Sequence, residues 1–310
     1  MLTKFWETYA NKLAERSLAR PLAPAIVFWG GGVAAWLCHR PGSFAVALDD
    51  RAAAWSDLPS SQQIALLVAA FLLVEGSALA ADWLVLPVLR LLEGYWPRPV
   101  ALPLASLHRG RLRRAREAAQ VEMERVHRGD GGARAVARLR RAEKTLRTLP
   151  AEPDLMMPTR LGNLLRSVES RPRERFGLDA VVCWPYLWML LDDAARGELV
   201  QARAGLNAAA RAWIWSVLFA FWSVFTWWAL PTALIGAVTT YRLGALSAAQ
   251  TYGEMVQVAF TLNRHTLYEA LRLRGPASPA DEPRRGREVT TYLARGLARD
   301  TEQFRERGSA

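Results

Sequence analysis

Apolar residues in this chain gather into four long blocks, with the arginines lying between them. The first block runs from about Pro21 to Cys38, carries no charge and ends at His39 and Arg40. It holds Gly30, Gly31 and Gly32 followed by Ala34 and Ala35, a small-residue spacing that lets helix backbones approach closely in lipid. The second block, about Ile64 to Leu92, exceeds the roughly 20 residues a bilayer crossing needs. The third, Ala208 to Ala229, has Trp213 and Trp215 near one end and Trp227 and Trp228 near the other. In a helix those pairs lie roughly 20 Å apart, as two interfacial aromatic belts would. The fourth follows Pro231 and continues to about Ala249, with Gly236, Thr240 and Gly244 at four-residue spacing. No charge falls between Arg211 and Arg242, so one helix of ~48 Å stays open as a reading. A hairpin turning at residues 227–231 is favoured, because a ~30 Å hydrocarbon core needs much less length.

Charge placement orients the blocks. Residues 1–20 carry four basic and two acidic groups, whereas loop 39–62 carries two basic and three acidic. The middle region 93–209 carries 21 basic against 14 acidic residues. Basic residues near membrane ends mark the cytoplasmic side, so both termini and the middle region are expected there. Three spans would put a tail with ten arginines outside, which makes that topology the weaker one. Leu2, Phe5, Trp6, Tyr9 and Leu13 share one helical face, which suits an amphipathic helix on the cytoplasmic surface better than a cleavable signal. The expected fold class is therefore an all-α integral membrane protein of about four transmembrane helices in two hairpins, with an inserted cytoplasmic helical domain. Its parts are an amphipathic helix (1–20), a first hairpin (21–92), a basic helical domain (93–207), a second hairpin (208–250) and cytoplasmic C-terminal helices and tail (251–310).

Within the basic domain, Leu112, Ala115, Ala119, Met123 and Val126 recur at helical spacing, as do Val136, Leu139, Ala142, Leu146 and Leu149. Residues 129–132 (GDGG) between them signal a turn, so two antiparallel helices with a thin Leu/Ala seam are expected. The segment 111–148 has 12 basic and 5 acidic residues. Arg111, Arg113, Arg114, Arg116, Arg138, Arg140 and Arg141 are candidate contacts to anionic headgroups, against the plainer reading of a solvated helical hairpin. Nucleic-acid binding is disfavoured, since no aromatics interleave with the charges. Further on, Leu161 to Val168 suits a short helix ended at residues 171–173. Leu178 to Leu191 is apolar but too short to span, with Asp179 as its N-cap and Pro185 dividing it. Tyr252 to Leu273 reads as a helix leaving the membrane, with Met255, Val258, Leu262 and Leu267 among its apolar positions. Residues 275–283 read as a linker, and Val289 to Phe304 as a final amphipathic helix.

Several sequence words, RLLEGYWP (90–97), TRLGN (159–163), FGLDA (176–180) with WP (184–185), and YGE (252–254) leading to LYEAL (267–271), resemble a widespread group of uncharacterised bacterial integral membrane proteins. The resemblance covers about residues 60–275. It implies a bacterial inner-membrane, multi-pass protein and carries over no catalytic residue.

The whole chain carries a formal charge of +11 over 310 residues, with two cysteines and four histidines, too few for a disulfide scaffold or a histidine-rich metal site. No phosphate loop, HExxH, GxSxG or CxxC motif is present, so no catalytic, cofactor or metal residue is assigned and no cofactor is expected. His108 and His127 read as solvated helix residues, and Cys183 as buried and unreactive. The membrane charges are the functional lead. Glu75 would lie ~16 Å into the second block, with Asp82 a heptad deeper, and Arg242 ~15 Å into the fourth. A Glu75–Arg242 pair near mid-membrane is expected, serving either as a structural clasp or as part of an ion pathway. The expected function is a non-catalytic scaffold or sensor whose cytoplasmic domain meets anionic lipid or a protein partner. An oligomeric ion or proton channel or transporter is second, and a membrane enzyme third. Whether the chain forms a homo-oligomer stays open.

Overall fold

The computed structural model describes residues 22–39 and 44–296. The described residues form helices and no strand. In chain order these are α1 (Ala23–His39), α2 (Phe44–Ser56), α3 (Ser60–Glu93), α4 (Arg98–His127), α5 (Ala133–Arg147), α6 (Arg160–Phe176), α7 (Ala180–Leu190), α8 (Asp193–Leu218), α9 (Ala229–Thr239), α10 (Leu246–Ala270) and α11 (Glu282–Arg295). Short 3-10 turns lie at Pro153–Leu155 and Phe219–Val224, and a π-turn at Thr240–Ala245 joins α9 to α10. The amphipathic helix expected over 1–20 lies outside the described residues, as does the end of the final helix beyond 296.

Two helical runs are long and apolar enough to cross a membrane: Ser60–Glu93 and Asp193–Val224. At 17 residues, α1 is shorter. The chain divides into two compact units. One contains Leu91–Ala204 and the chain from Ala248; the other contains Gly205–Ser247 and the described chain up to Arg90.

In the second of these units, α8 and α9 form the expected reversal. Backbone bonds from Phe225 and Thr226 to the Trp222 carbonyl close the turn, and the returning strand of helix packs small residues against α8. A Cβ on Gly236 would sit 3.1 Å from Ser216 Oγ, and one on Gly244 would sit 3.3 Å from Ala209 Cβ. The four-residue stripe thus lines a close helix–helix contact. The glycines of α1 work differently from the expected small-residue contact. Gly31 receives the ring of Phe219 and Gly32 the indole of Trp222, while Gly30 has nothing within 4 Å. An aromatic cluster of Phe28, Trp29, Trp215 and Trp222 grows around that notch, with Phe28 5.1 Å from Trp215 and 5.2 Å from Trp222 between ring centroids. Trp215 is consequently buried and belongs to no interfacial belt, whereas Trp227 is 81% exposed. Trp29 Nε1 donates to Ser77 Oγ at 3.1 Å, joining α1 to α3.

The other unit has its own core, built on α7. Trp184, Leu187 and Trp188 are buried there with Val256, Phe260 and Tyr268 of α10, and Trp184 lies 5.7 Å from Phe260 between centroids. Asp179 caps α7 as expected, its carboxylate accepting from the backbone N–H of Val181 and Val182. Pro185 sits inside one continuous helix. Two boundaries and one buried face differ from the sequence reading. Helix α6 runs through Pro172, which is buried in the core, and stops only at Gly177, whose φ of +74° provides the left-handed C-cap. Helix α11 begins at Glu282, inside the expected linker, because Gly286 lets it press against α6: a Cβ there would lie 1.9 Å from the Phe176 carbonyl. On α10 the buried face is Val256, Ala259 and Phe260, so Val258 and Leu262 point outward.

Helices α4 and α5 form the expected hairpin, turning at 128–132. On α5 the buried residues are the expected Ala142 and the unexpected Ala135, with Val136, Leu139 and Leu146 half-buried, whereas on α4 the seam positions buried are Leu112, Ala115 and Glu122, leaving Met123 and Val126 exposed. Glu122 takes the seam position because Arg138 of the facing helix pairs with it at 2.9 Å and Arg125 at 3.3 Å. A paired charge can occupy a contact that the apolar pattern alone assigns to its neighbour.

Candidate functional site

Helix α3 has 34 residues, about 51 Å, more length than a ~30 Å hydrocarbon core requires. Asp82 lies on this helix and Arg211 on α8, and the two form an ion pair at 2.9 Å with both side chains partly buried. It joins the long apolar helix α3 to α8. The expected Glu75–Arg242 pair is not formed among them: Glu75 is half-buried and Arg242 is exposed. The physical reason lies in the path of the second hairpin. Matching depth alone, on which that pair was expected, leaves the helix face open, and Arg242 falls within the π-turn at Thr240–Ala245 with its side chain exposed. Arg211, treated in the sequence only as the edge of the uncharged stretch, instead faces Asp82 from the other arm.

The seven candidate basic residues separate into three groups. Arg111, Arg114 and Arg141 are exposed, and their side chains form no ion pair or hydrogen bond among the described residues. Arg113 reaches Glu117 at 3.7 Å, Arg116 donates to the Ala151 carbonyl, and Arg138 belongs to Glu122. Arg140 is exposed at the edge of a groove that it helps to line.

Two of the distinctive sequence words meet in space. The end of α3 (Glu93, Gly94) lies on the first turn of α6. Thr159 caps that helix by accepting from Gly162 N–H at 3.0 Å, and its hydroxyl donates to the Glu93 carbonyl at 2.8 Å. Asn163 is fully buried; its amide donates to the carbonyls of Met157 and Thr159 and its oxygen accepts from Met157 N–H. Those bonds fix the loop entering the helix. Gly94 has φ +94°, and a Cβ there would meet Pro158 at 2.5 Å. The Glu93 side chain is 5% exposed, and its Oε1 has no hydrogen-bond partner among the described residues. Arg203, also buried, stacks its guanidinium over Tyr252 at 5.7 Å and forms no ion pair with Glu93. The sequence offered one signal for Glu93, a carboxylate at the end of a long, mostly apolar helix.

Glu93, the last residue of α3, follows the apolar block expected over about 64–92 and belongs to the unit that begins at Leu91. Burial raises its carboxyl from 4.5 to about 7, with Arg203 pulling the other way and Glu169 adding to the rise. Because the folded value is the higher one, the folded protein holds the extra proton. This contribution to stability is complete below pH ~4.5 and lost as pH rises through about 7, roughly 3 kcal/mol in all. Glu93→Gln removes the titration. The variant is expected to lose this fall of the unfolding midpoint between pH 5 and 8 and to exceed the parent at pH 8. Parallel pH dependences for variant and parent would reject this assignment.

Other reactive groups are quiet. Cys183 is fully buried and burial pushes its thiol up to about 12, far from a nucleophile. His127 is exposed, with Nδ1 3.2 Å from the Met123 carbonyl. His108 is not simply solvated: it is partly buried, its Nδ1 lacks a partner among the described residues, and burial together with Arg111 lowers its basicity. Among the described residues no group of three or more His, Cys, Asp or Glu could hold a metal ion. No protein-family model, curated protein or solved structure matches the chain.

Proposed function

We propose that the chain is a bacterial inner-membrane protein with four spans and both termini cytoplasmic. It acts as a non-catalytic scaffold or sensor whose arginine-bearing helical hairpin adsorbs to anionic headgroups. The membrane part of this reading is supported by α3, where Ile64, Leu67, Phe71 and Leu72 are each at least 59% exposed along one uncharged run. Such a surface is stable in lipid and costly in water. The hairpin at 225–228 makes two arms of the block from Ala208 to Ala249, which supports the four-span count.

The observation that carries the scaffold reading is the outward set Arg111, Arg114 and Arg141, whose charges no acidic side chain of the described chain neutralises. Each basic residue near an anionic surface contributes about 1 kcal/mol. The test uses the full chain, with Cys38→Ser and Ala118→Cys, in nanodiscs of phosphatidylcholine with or without phosphatidylglycerol. Thiol labelling at position 118 is expected to slow when phosphatidylglycerol is present. Arg111→Gln with Arg114→Gln should weaken this adsorption by about 30-fold, equivalent to about 2 kcal/mol. Labelling indifferent to phosphatidylglycerol overturns the proposal. A second reading, an ion or proton conduit, is favoured by Glu75, a carboxylate in an apolar helix without an ion-pair partner among the described residues. It predicts ion flux from reconstituted protein that Glu75→Gln abolishes.

A further inference from the structure

A groove of about 480 Å³ opens between α5, α6 and α10, and each helix contributes residues at one repeated spacing. Helix α5 supplies Arg140, Glu143, Lys144 and Arg147, α6 supplies Leu164, Val168 and Arg171, and α10 supplies Gln250, Gly253, Glu254 and Gln257. These offsets of three, four and seven residues each define one helical face, so the three faces converge on a single cleft.

The floor is apolar and the rim is charged. Leu164 and Val168 are buried, and α10 reaches them because position 253 has no side chain: a Cβ there would sit 2.4 Å from Val168 Cγ2. Four cations and two carboxylates line the rest. None of the six forms an ion pair or hydrogen bond among the described residues, although cations and carboxylates line the same cleft. Arg171 has a guanidinium nitrogen shut off from solvent with no partner among the described residues. Its basicity is lowered by burial; Glu174 works against that fall, and neighbouring Arg147 and Arg175 add to it. Four cations at one cleft repel one another, and an isolated chain gains nothing from holding them together. An anion of more than one charge relieves both the repulsion and the unmet donors.

We propose that this groove binds an organic phosphate, its phosphate held by Arg147, Arg171 and Lys144 and its organic part seated over Leu164 and Val168. Arginine forks match phosphate oxygens two at a time, and lysine adds a mobile point charge. The volume is within the range of small-molecule sites and exceeds the needs of inorganic phosphate alone. Glu143 and Glu254 accept hydrogen bonds, which suits hydroxyl or ammonium groups on the organic part. That chemistry is shared by a lipid headgroup and a soluble phosphate ester. The groove residues are distinct from the exposed Arg111, Arg114 and Arg141, so the site stands whether or not that outer set meets lipid.

The test follows thiol labelling at Gln257→Cys in the full chain carrying Cys38→Ser. It uses glycerol 3-phosphate, inorganic phosphate and sulfate as soluble probes in detergent, and phosphatidylglycerol nanodiscs as the lipid probe. Saturable protection by glycerol 3-phosphate, stronger than by sulfate at equal ionic strength, supports a soluble source. Protection seen only in phosphatidylglycerol nanodiscs supports a headgroup. In either case Arg171→Gln should weaken protection at least about ten-fold, as loss of a charge-assisted hydrogen bond does. The exposed Lys144→Gln variant should weaken it several-fold without touching the fold, and Arg113→Gln should leave it unchanged. With soluble probes, labelling at Ala118→Cys should not respond, which separates this site from adsorption of the hairpin. Absence of protection by every probe, equal protection by sulfate, or wild-type protection in folded Lys144→Gln and Arg171→Gln variants overturns the proposal.

Discussion

Gly162→Ala is expected to destabilise the helical unit by about 3 kcal/mol or more, placing it among the most damaging single-methyl additions in the chain. The added Cβ would lie 1.9 Å from the Glu93 carbonyl oxygen and 2.9 Å from Met157 Cβ. The first contact is backbone, which no rotamer change can relieve. Moving the end of α3 away would also break the bond from the Thr159 hydroxyl to that carbonyl and disturb the buried Asn163 bonds to Met157 and Thr159. The check is a denaturant titration followed by circular dichroism, with Gly110→Ala as its counterpart. Gly110 is also helical but has nothing within 4 Å of an added Cβ, so alanine there should stabilise by up to about 1 kcal/mol. Equal effects at the two positions would show that helix propensity, and not the contact, governs Gly162.

Removing one partner of the Asp82–Arg211 pair should cost about 3 kcal/mol, the scale on which an unpaired charge is penalised within a bilayer. Arg211→Leu leaves Asp82 alone on α3, and Asp82→Leu leaves Arg211 alone on α8. The double variant, with neither charge, should assemble better than either single one, because both desolvation penalties vanish together. The exchange Asp82→Arg with Arg211→Asp should likewise recover detergent-resistant assembly lost in the single variants. By contrast, Glu75→Arg with Arg242→Glu should show no mutual rescue, since those residues form no pair among the described residues. Rescue at 75 and 242 without rescue at 82 and 211 would reverse the assignment.

Much of the fold was legible in the chain because it depends on local pattern. The apolar runs of α1 and α3, the reversal near 227–231 and the hairpin around 129–132 each follow from hydrophobic length or turn residues within a short window. The Asp179 cap was legible for the same reason, its partners lying two and three residues away. Failures came where distant contacts overrode local preference. Pro172 was expected to end α6, yet burial keeps the helix going until Gly177. Met123 and Val126 fit an apolar stripe, but Arg138 draws Glu122 into the seam instead.

The candidate sites show the same division. Sequence alone determined that charges stand inside apolar segments, that arginines crowd residues 111–148, and that glycines recur in the distinctive words, since residue type and spacing suffice for these. Only tertiary structure decided that Asp82 takes Arg211, that Glu93 is walled in beside Asn163 and Arg203, and that Arg140, Lys144, Arg147 and Arg171 share one groove. Pairing and burial depend on side chains up to 129 residues apart meeting within a few ångströms. A shift of one residue in register, such as the π-turn at Thr240–Ala245 introduces, turns a side chain by about 100° and changes its partner.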